Sequence, residues 1–563
     1  MGDVTGKGGP GVIREIFVEL LKYLKLGEGM AWLYRTPIDP NYRETLANYV
    51  KNRDANFLEI VRRVLEKPSH PYAQLFGLAG CTYADVETAI RRDGLEPTLG
   101  ALAREGVYLS LDEFRCNTEI VRGGRHIPAS MKDWDTADGA GPFQNFSSGS
   151  SSGRSLRTSH SLQYAKYGMA GGQVLVDHFY RDKKTAVIVL LPILPTSMGL
   201  GTCVGVARLG YTAERWFALG GSMRGNGHYR TMTTALVTRL RLGGAKVPYP
   251  TYLQADDFSP VAEFIARRKK EGVQSAMSGM VSSITRVAAV ALDRGLDIRG
   301  SFALVTGESL TDAKREIIEA AGIEVFPSYG TSEFGGIGTP CSRMNKGNCV
   351  HIQKGSVALI SRRLEDDGYS DEAVDSLHIT SLLSFAPRIL INVEIGDTGV
   401  IEKATCDCDY ARLGYDMQVR DIAAISKIRG QGYTLRAPLV VRLVEEGLAQ
   451  RFGGRTGDYQ LLEVEGKAQT EMVLRIHPRA GVESPEQVLE YFLAECRRTY
   501  GGSMTVLQWT ESHGVRVEVK EPVLASSGKF RAIRLLGSQV RAPQEEPAPD
   551  PVRKAATAGS GQA

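Results

Sequence analysis

Three observations predict an α/β fold with a large N-terminal domain built on mainly parallel sheets, followed by a small α+β C-terminal domain. From about residue 185, short apolar runs alternate with helical segments, which is the pattern of βαβ units. After about residue 432 that alternation gives way to two strands, a helix and a further strand. The 563 residues, 42% hydrophobic and 23% charged, are sufficient to bury large cores.

Along the chain, residues 12–25 (VIREIFVELLKYLK) repeat apolar positions three and four apart and predict an amphipathic helix. YRETLANYVKNRDANFLEIVRRVLEK continues the helical texture up to Pro68. The first 140 residues are thus a helical N-terminal part, structural in role, with YLSLDEFR its one familiar stretch. TAVIVLLPIL, AKVPYP, SAMSGMVSSITRVAAVALDRGL, SFALVTGESL, DAKREIIEAAG and IEVFPSYG alternate short apolar runs with helical segments, strands of four to six residues between longer helices. YQLLEVEG, TEMVLRIHP, the helix SPEQVLEYFLAECRRTY and VRVEVKEP compose the smaller unit. The expected division is 1–429 for the large domain, 430–540 for the small lid domain and 541–563 for a Pro- and Ala-rich disordered tail.

Lys and Arg number 68 against 64 Asp and Glu, a net charge of +4. Over this length that excludes a protein held mainly by nucleic-acid phosphates or anionic lipid. The longest apolar run, AVIVLLPILP, is broken by Pro192 and Pro195 before the ~18 residues a membrane span needs. No charged flank precedes an apolar signal core at the N-terminus, so the expected location is the cytoplasm, with the eight cysteines mostly reduced. Sixty-two glycines are the one compositional excess and point to tight turns and close backbone approaches.

Four segments can carry chemistry. FSSGSSSGRS (146–155) frees backbone N–H groups around Gly149 and Gly153 to converge on phosphate, with serine donors beside them; the same composition also makes flexible linkers. It also parses as GxSxG with Ser151 as a hydrolase nucleophile, but that elbow needs a buried strand before it, and GAGPFQN is a turn sequence. SYGTSEFG (328–335) follows the strand IEVFP and brings Tyr329, Thr331 and Glu333 to the carboxyl end of a parallel strand, where open α/β sheets bind ligands. A carboxylate such as Glu333 suits a hard cation like Mg²⁺ beside substrate phosphates. VTGESL ends the preceding strand in the same way and carries Gly307 and Glu308 to the same rim. In NVEIGDTG (392–399), Asp397 sits in a glycine-flanked turn and can accept from vicinal ribose hydroxyls. In ASSGKFR (525–531), Lys529 is a point charge on a Ser-Gly loop, suited to phosphate or carboxylate.

In this order and at these spacings, the segments from Ser147 to Arg531 resemble the adenylate-forming superfamily of acyl-CoA synthetases, luciferases and adenylation domains. SSG, FPSYGTSE and the CDC after the GD turn look most like its phenylacetate–CoA ligase branch, with the acyl-protein synthetases of bacterial luminescence as nearest rival. The resemblance implies ATP-dependent activation of a carboxylic acid to an acyl-adenylate, then transfer to a thiol of coenzyme A or of a carrier or protein. It implies that Ser147, Ser148, Gly149, Ser150 and Ser151 cradle the β and γ phosphates, and that Gly307, Glu308 and Tyr329 border the adenine. Thr331 would meet the α-phosphate, Glu333 the Mg²⁺ and Asp397 the ribose. Lys529 would bridge carboxylate and α-phosphate during adenylation and leave as the small domain rotates. The chain departs from the family at Ser152, where a second loop glycine is usual, and at Asn392 to Ile395, where an aromatic-Arg-Thr cluster is usual. A serine hydrolase using Ser151 and a non-catalytic nucleotide-binding homologue are the alternatives.

Two sheet-edge loops that each supply closely spaced soft ligands can close a tetrahedral Zn²⁺ site. Cys341, Cys349 and His351 follow YGTSE, and Cys406 and Cys408 follow the GD turn. By resemblance to the phenylacetate–CoA ligase branch, the expected structural zinc ligands are Cys341, His351, Cys406 and Cys408. PILPTSMGLGT (192–202) and WFALGGSMRGNGHYR (216–230) correspond in position to the family's acyl pocket and suit an aryl or medium-chain acid.

Overall fold

A computed structural model describes residues 10–136, 143–146, 157–180, 184–194, 196–218, 227–254, 257–331, 333–341, 343, 348–364, 374–425, 427–430, 433–455, 457–466, 469–498, 502–524 and 530–535. The tail expected at 541–563 lies outside them.

The alternating region folds into a six-stranded sheet in which every pairing is parallel. Its order is Ile323–Pro327, Ser301–Thr306, Ser275–Met280, Ala186–Leu190, Ala213–Ala218 and Pro250–Tyr252. Ala186–Leu190 lies centrally and is buried at every position, which is why its sequence is an unbroken apolar run. Helices Ser259–Lys270 and Val281–Asp293 cover one face through Val261, Ile265, Ile284 and Val287. The N-terminal helix Pro10–Arg35 joins Met198–Arg208 and Gly227–Leu242 on the other face, where Tyr23, Leu26 and Met30 pack with Trp216 and Leu236. The register sets Met280 against Thr306 and Val305 against Pro327, so three strands end at one rim.

A seven-stranded sheet, antiparallel at every pairing, stands beside the parallel one. It runs Tyr329–Thr331, Gly335–Thr339, Val350–Ile352, Met417–Ala424, Val393–Lys403, Val374–Ser381 and Val357–Leu364. The helices Arg53–Leu65, Pro71–Leu78, Tyr83–Asp93 and Leu95–Arg104 bury Phe57, Tyr72, Val86 and Leu99 against it. The stretch after Tyr42 is two helices and not one, because Asn52 leaves helical geometry between Tyr42–Lys51 and Arg53–Leu65. Asn392 holds φ +50°, a left-handed conformation that Asn tolerates better than most residues. Its Nδ2 donates to the carbonyls of Leu99 at 2.9 Å and Val107 at 3.0 Å, tying the helical layer to the strand that enters the GD turn.

The C-terminal unit has its own core of Val440, Val444, Tyr459, Leu474, Phe492 and Trp509. Its four strands are ordered Val515–Val519, Thr470–Ile476, Tyr459–Glu465 and Ile533–Arg534. Helices Pro485–Arg498 and Gly502–Glu511 complete it, an α+β unit as expected. The hairpin Lys427–Gly430 and Tyr433–Arg436 packs against Gly502–Glu511. Among the described residues no helix is long and apolar enough to cross a membrane.

Candidate functional site

At the carboxyl ends of the parallel strands, Gly307 turns the chain with φ +83°, a conformation L side chains rarely adopt. A Cβ there would also lie 2.9 Å from the Met280 side chain. The turn delivers Glu308 to the N-terminus of helix Val281–Asp293, where its carboxylate accepts from the Ser282 backbone N–H at 2.8 Å and the Ser282 hydroxyl at 3.1 Å. An anion suits the positive end of a helix, so Glu308 fixes the rim as well as bordering it.

On the next strand end, the Ser328 backbone N–H and hydroxyl both donate to the Val305 carbonyl, at 2.8 and 3.1 Å. This couples SYGTSE to the TGES strand. Tyr329 donates its phenol to Asp397 Oδ2 at 2.9 Å, and both residues are buried, Asp397 completely. Thr331 Oγ1 accepts from the Phe334 N–H at 3.1 Å and closes the loop over Glu333. The sequence-expected Gly307, Glu308, Tyr329, Thr331, Glu333 and Asp397 therefore belong to one connected region of the fold.

Glu333 meets a partner that sequence reasoning missed. Arg115 Nε donates to Oε1 at 3.1 Å and Nη2 to Oε2 at 2.9 Å, a two-pronged pair with both side chains largely buried. Arg115 comes from YLSLDEFR, which the sequence reading treated as structural. The local sequence marks the turn, a reciprocal Ser110–Glu113 capping box at Leu111–Phe114, but not its distant partner. Glu113 is in turn held by Arg122 at 2.7 and 3.0 Å. A cleft beside Glu333 is lined by His160, Tyr164, Ser356, Ser381 and Arg388. Burial holds the Arg388 guanidinium below its ordinary pKa, while Glu333 and Asp135 pull it upward. His160 is pushed down to about 4 by burial and by Arg388, so it is neutral near pH 7.

Cys341, His351, Cys406 and Cys408 converge, with their ligand atoms all within 4.8 Å of one another. Cys341 follows strand Gly335–Thr339, His351 lies in Val350–Ile352, and Cys408 caps the short helix Asp409–Arg412. His351 Nε2 lies 3.1 Å from both Cys406 Sγ and Cys408 Sγ. Cys408 is held down to about 3 by hydrogen bonds from Cys341 and His351, and Cys341 is raised by the same contact and by burial. Cys349 is buried outside the cluster, its thiol pushed up to about 12 by burial. The donor set of three thiols and one imidazole fits Zn²⁺.

Ser147, Ser148, Gly149, Ser150, Ser151 and Lys529 lie outside the described residues. The segments flanking the Ser/Gly run are strands Phe143–Phe146 and Arg157–His160, paired antiparallel. Residues 143–145, read from sequence as part of a turn, thus belong to a strand. The element after the loop is a second strand, where a nucleophile elbow leads into a helix. Of the two segments matched to an acyl pocket, Ile193, Leu194, Leu200 and Trp216 are packed in the core with Tyr23 and Met30.

No protein-family model and no curated protein matches the chain. Solved structures do. A 2-hydroxyisobutyryl-CoA ligase in complex with 2-HIB-AMP and CoA, in its thioesterification state, is similar at 13% identity and TM-score 0.52 over 90% of this chain and 95% of that one. A nonribosomal peptide synthetase protein with adenylation and PCP domains aligns at 13% identity and TM-score 0.36 over 86% of this chain and 98% of that one. The amide bond synthetase McbA from Marinactinospora thermotolerans aligns at 13% identity and TM-score 0.28 over 84% and 97%. The argument rests on the first of these, and at that identity it speaks for the fold alone: the fold of this chain is that of the adenylate-forming ligases.

Proposed function

We propose that the protein activates a carboxylic acid with ATP and transfers the acyl group to a thiol, coenzyme A in the first instance. A carboxylate oxygen attacks the α-phosphorus, the bond to the β-phosphate oxygen breaks, and pyrophosphate leaves. The thiol sulfur then attacks the acyl carbon, AMP leaves, and the thiol proton passes to solvent. The observation that carries this reading is the Tyr329–Asp397 hydrogen bond across the rim, beside the Gly307 turn and the Glu308-capped helix. It sets Asp397, assigned in this reading to the ribose, directly beside Tyr329, assigned to the adenine.

In this reading Thr331 donates to the α-phosphate, and Ser147, Ser148, Gly149, Ser150 and Ser151 supply donors to the terminal phosphates. Lys529 neutralises charge as the carboxylate approaches the α-phosphorus. Mg²⁺ enters as the counter-ion of ATP. It does not fit Glu333 as that residue stands, because Arg115 engages both carboxylate oxygens. Zn²⁺ fits the Cys341, His351, Cys406 and Cys408 set, where it would supply cross-linking and no chemistry, since four protein donors leave no open position.

Carboxylate-dependent ATP–pyrophosphate exchange across a panel of aryl and medium-chain acids tests the reading. Exchange with at least one acid is expected, and Lys529→Ala abolishes it while leaving a supplied acyl-adenylate competent for thiol transfer. Exchange undiminished in that variant refutes the role of Lys529. Ser151-dependent fluorophosphonate labelling without any ATP requirement refutes the ligase altogether. Product formation with a protein thiol but none with coenzyme A moves the acceptor to the acyl-protein synthetase type.

A further inference from the structure

We propose that Arg115 is a positioning residue that keeps Glu333 from serving as a divalent-cation ligand, so this carboxylate anchors guanidinium groups at the rim. The inference rests on the reading of the site as a nucleotide site. Arg115 takes one lone pair on each oxygen of Glu333, at 3.1 and 2.9 Å, in the fork-to-fork geometry that makes Arg–carboxylate pairs strong and directional. Arg388, almost wholly buried, adds a second positive charge that interacts with the same carboxylate. A dication approaching Glu333 therefore meets two guanidinium groups. Displacing Arg115 would strand its charge in a largely buried position, which is strongly unfavourable.

The support behind Arg115 is built independently of the pair. The Ser110–Glu113 capping box fixes the turn that presents it. Glu113 is clamped by Arg122, whose guanidinium lies 4.1 Å from the Tyr108 ring centroid. Cys116 follows with φ +56°. These hydrogen bonds fix the turn, and with it the backbone from which Arg115 reaches Glu333.

The test is binding of Mn²⁺ with α,β-methylene-ATP, followed by electron paramagnetic resonance, in the full-length protein and in Glu333→Gln, Arg115→Gln and the double variant. The near-isosteric Glu333→Gln is expected to change the apparent Mn²⁺ affinity by less than about threefold. Arg115→Gln is expected to tighten Mn²⁺ binding by more than about threefold, with the gain absent from the double variant. Arg115→Lys, which keeps the charge, should behave as the unaltered protein. A loss of about threefold or more in Glu333→Gln alone overturns the proposal whether or not Arg115→Gln folds, and so does a folded Arg115→Gln that gains nothing. Failure of every variant to bind the nucleotide refutes the proposed function, and this inference with it.

Discussion

Lys314 offers the sharpest test of how the small domain is held. It lies on helix Asp312–Ala320 of the large domain, 2% exposed, and its Nζ donates to Thr470 Oγ1 at 2.6 Å and approaches Glu465 Oε1 at 3.6 Å. Both partners belong to the C-terminal sheet, and Thr311 adds a 3.0 Å hydrogen bond to the same Glu465 oxygen. At an effective dielectric of about 20 the bare attraction at this separation is on the order of 5 kcal/mol, most of it consumed by desolvating the ammonium. Glu465 is 23% exposed and partly screened, so the net value is that of a charge-assisted hydrogen bond, about 1.5–3 kcal/mol. Lys314→Met keeps an aliphatic stem and removes the charge together with the hydrogen bond to Thr470. The C-terminal core is self-contained, so the loss falls on docking and not on folding. The undocked population is then expected to rise roughly ten- to a hundredfold. Limited proteolysis between the two domains reads this, because cleavage follows the open population when opening is fast. A double-mutant cycle with Glu465→Gln isolates the pair. Cleavage within about twofold of the unaltered protein, at an unchanged melting temperature, refutes the reasoning.

Two further outcomes are expected. Protein prepared without chelator should carry about one zinc per chain, and Cys408→Ser should lose it; zinc-free protein by metal analysis removes the site. His378, 1% exposed beside Tyr108 and Arg362, is pushed down to about 4 by burial, its Nδ1 donating to the Asn392 carbonyl at 3.1 Å. The unfolded chain, with its ordinary value near 6.5, takes up this proton first as pH falls. The contribution of His378 is therefore complete above pH 6.5 and lost progressively between 6.5 and about 4, on the order of 3 kcal/mol in total. Denaturant melts across that window should show a shallower decline in His378→Gln, and an equal slope counts against the assignment.

The parallel sheet was legible where its strands are short apolar runs, as at Ile323–Pro327 and Ser301–Thr306, and Ala186–Leu190 needs no alternation when both faces are covered; Ala213–Ala218, which carries Glu214 and Arg215, was missed, and the strand expected at 245–250 is Pro250–Tyr252. The zinc-type cluster was legible as residue types at loop positions. Its assembly depended on the pairings Thr339 with His351 and His351 with Gln418, which no local pattern encodes. The antiparallel sheet was largely invisible, because strands such as Val350–Ile352 and Gly335–Thr339 are short and carry few apolar alternations. Arg115–Glu333 and Lys314–Glu465 span 218 and 151 positions, so each looks like an ordinary surface charge until the fold brings its partner. Asn392 read as a departure from an aromatic position, whereas its left-handed backbone and bonds to Leu99 and Val107 give it a separate structural reason.

The cluster and the rim share a strand, and this decides what losing the proposed zinc should do. Gly335–Thr339 begins after Glu333 and ends just before Cys341, and five residues of strand separate its ends by about 13 Å. The cluster therefore stands at the end of this strand remote from Thr331, which pairs with Gly335, and backs the end that carries Tyr329: Tyr329 pairs with Gly338, Gly338 with Ile352, and Thr339 with His351 of the cluster. Releasing the metal should therefore loosen the register under Tyr329 and weaken its hold on Asp397 before it alters any reacting group. The expected signature of chelation is a lower melting temperature and a raised KM for ATP in pyrophosphate exchange, with kcat at saturating ATP largely kept. A collapse of kcat with KM unchanged would instead assign the cluster a direct part in the reaction.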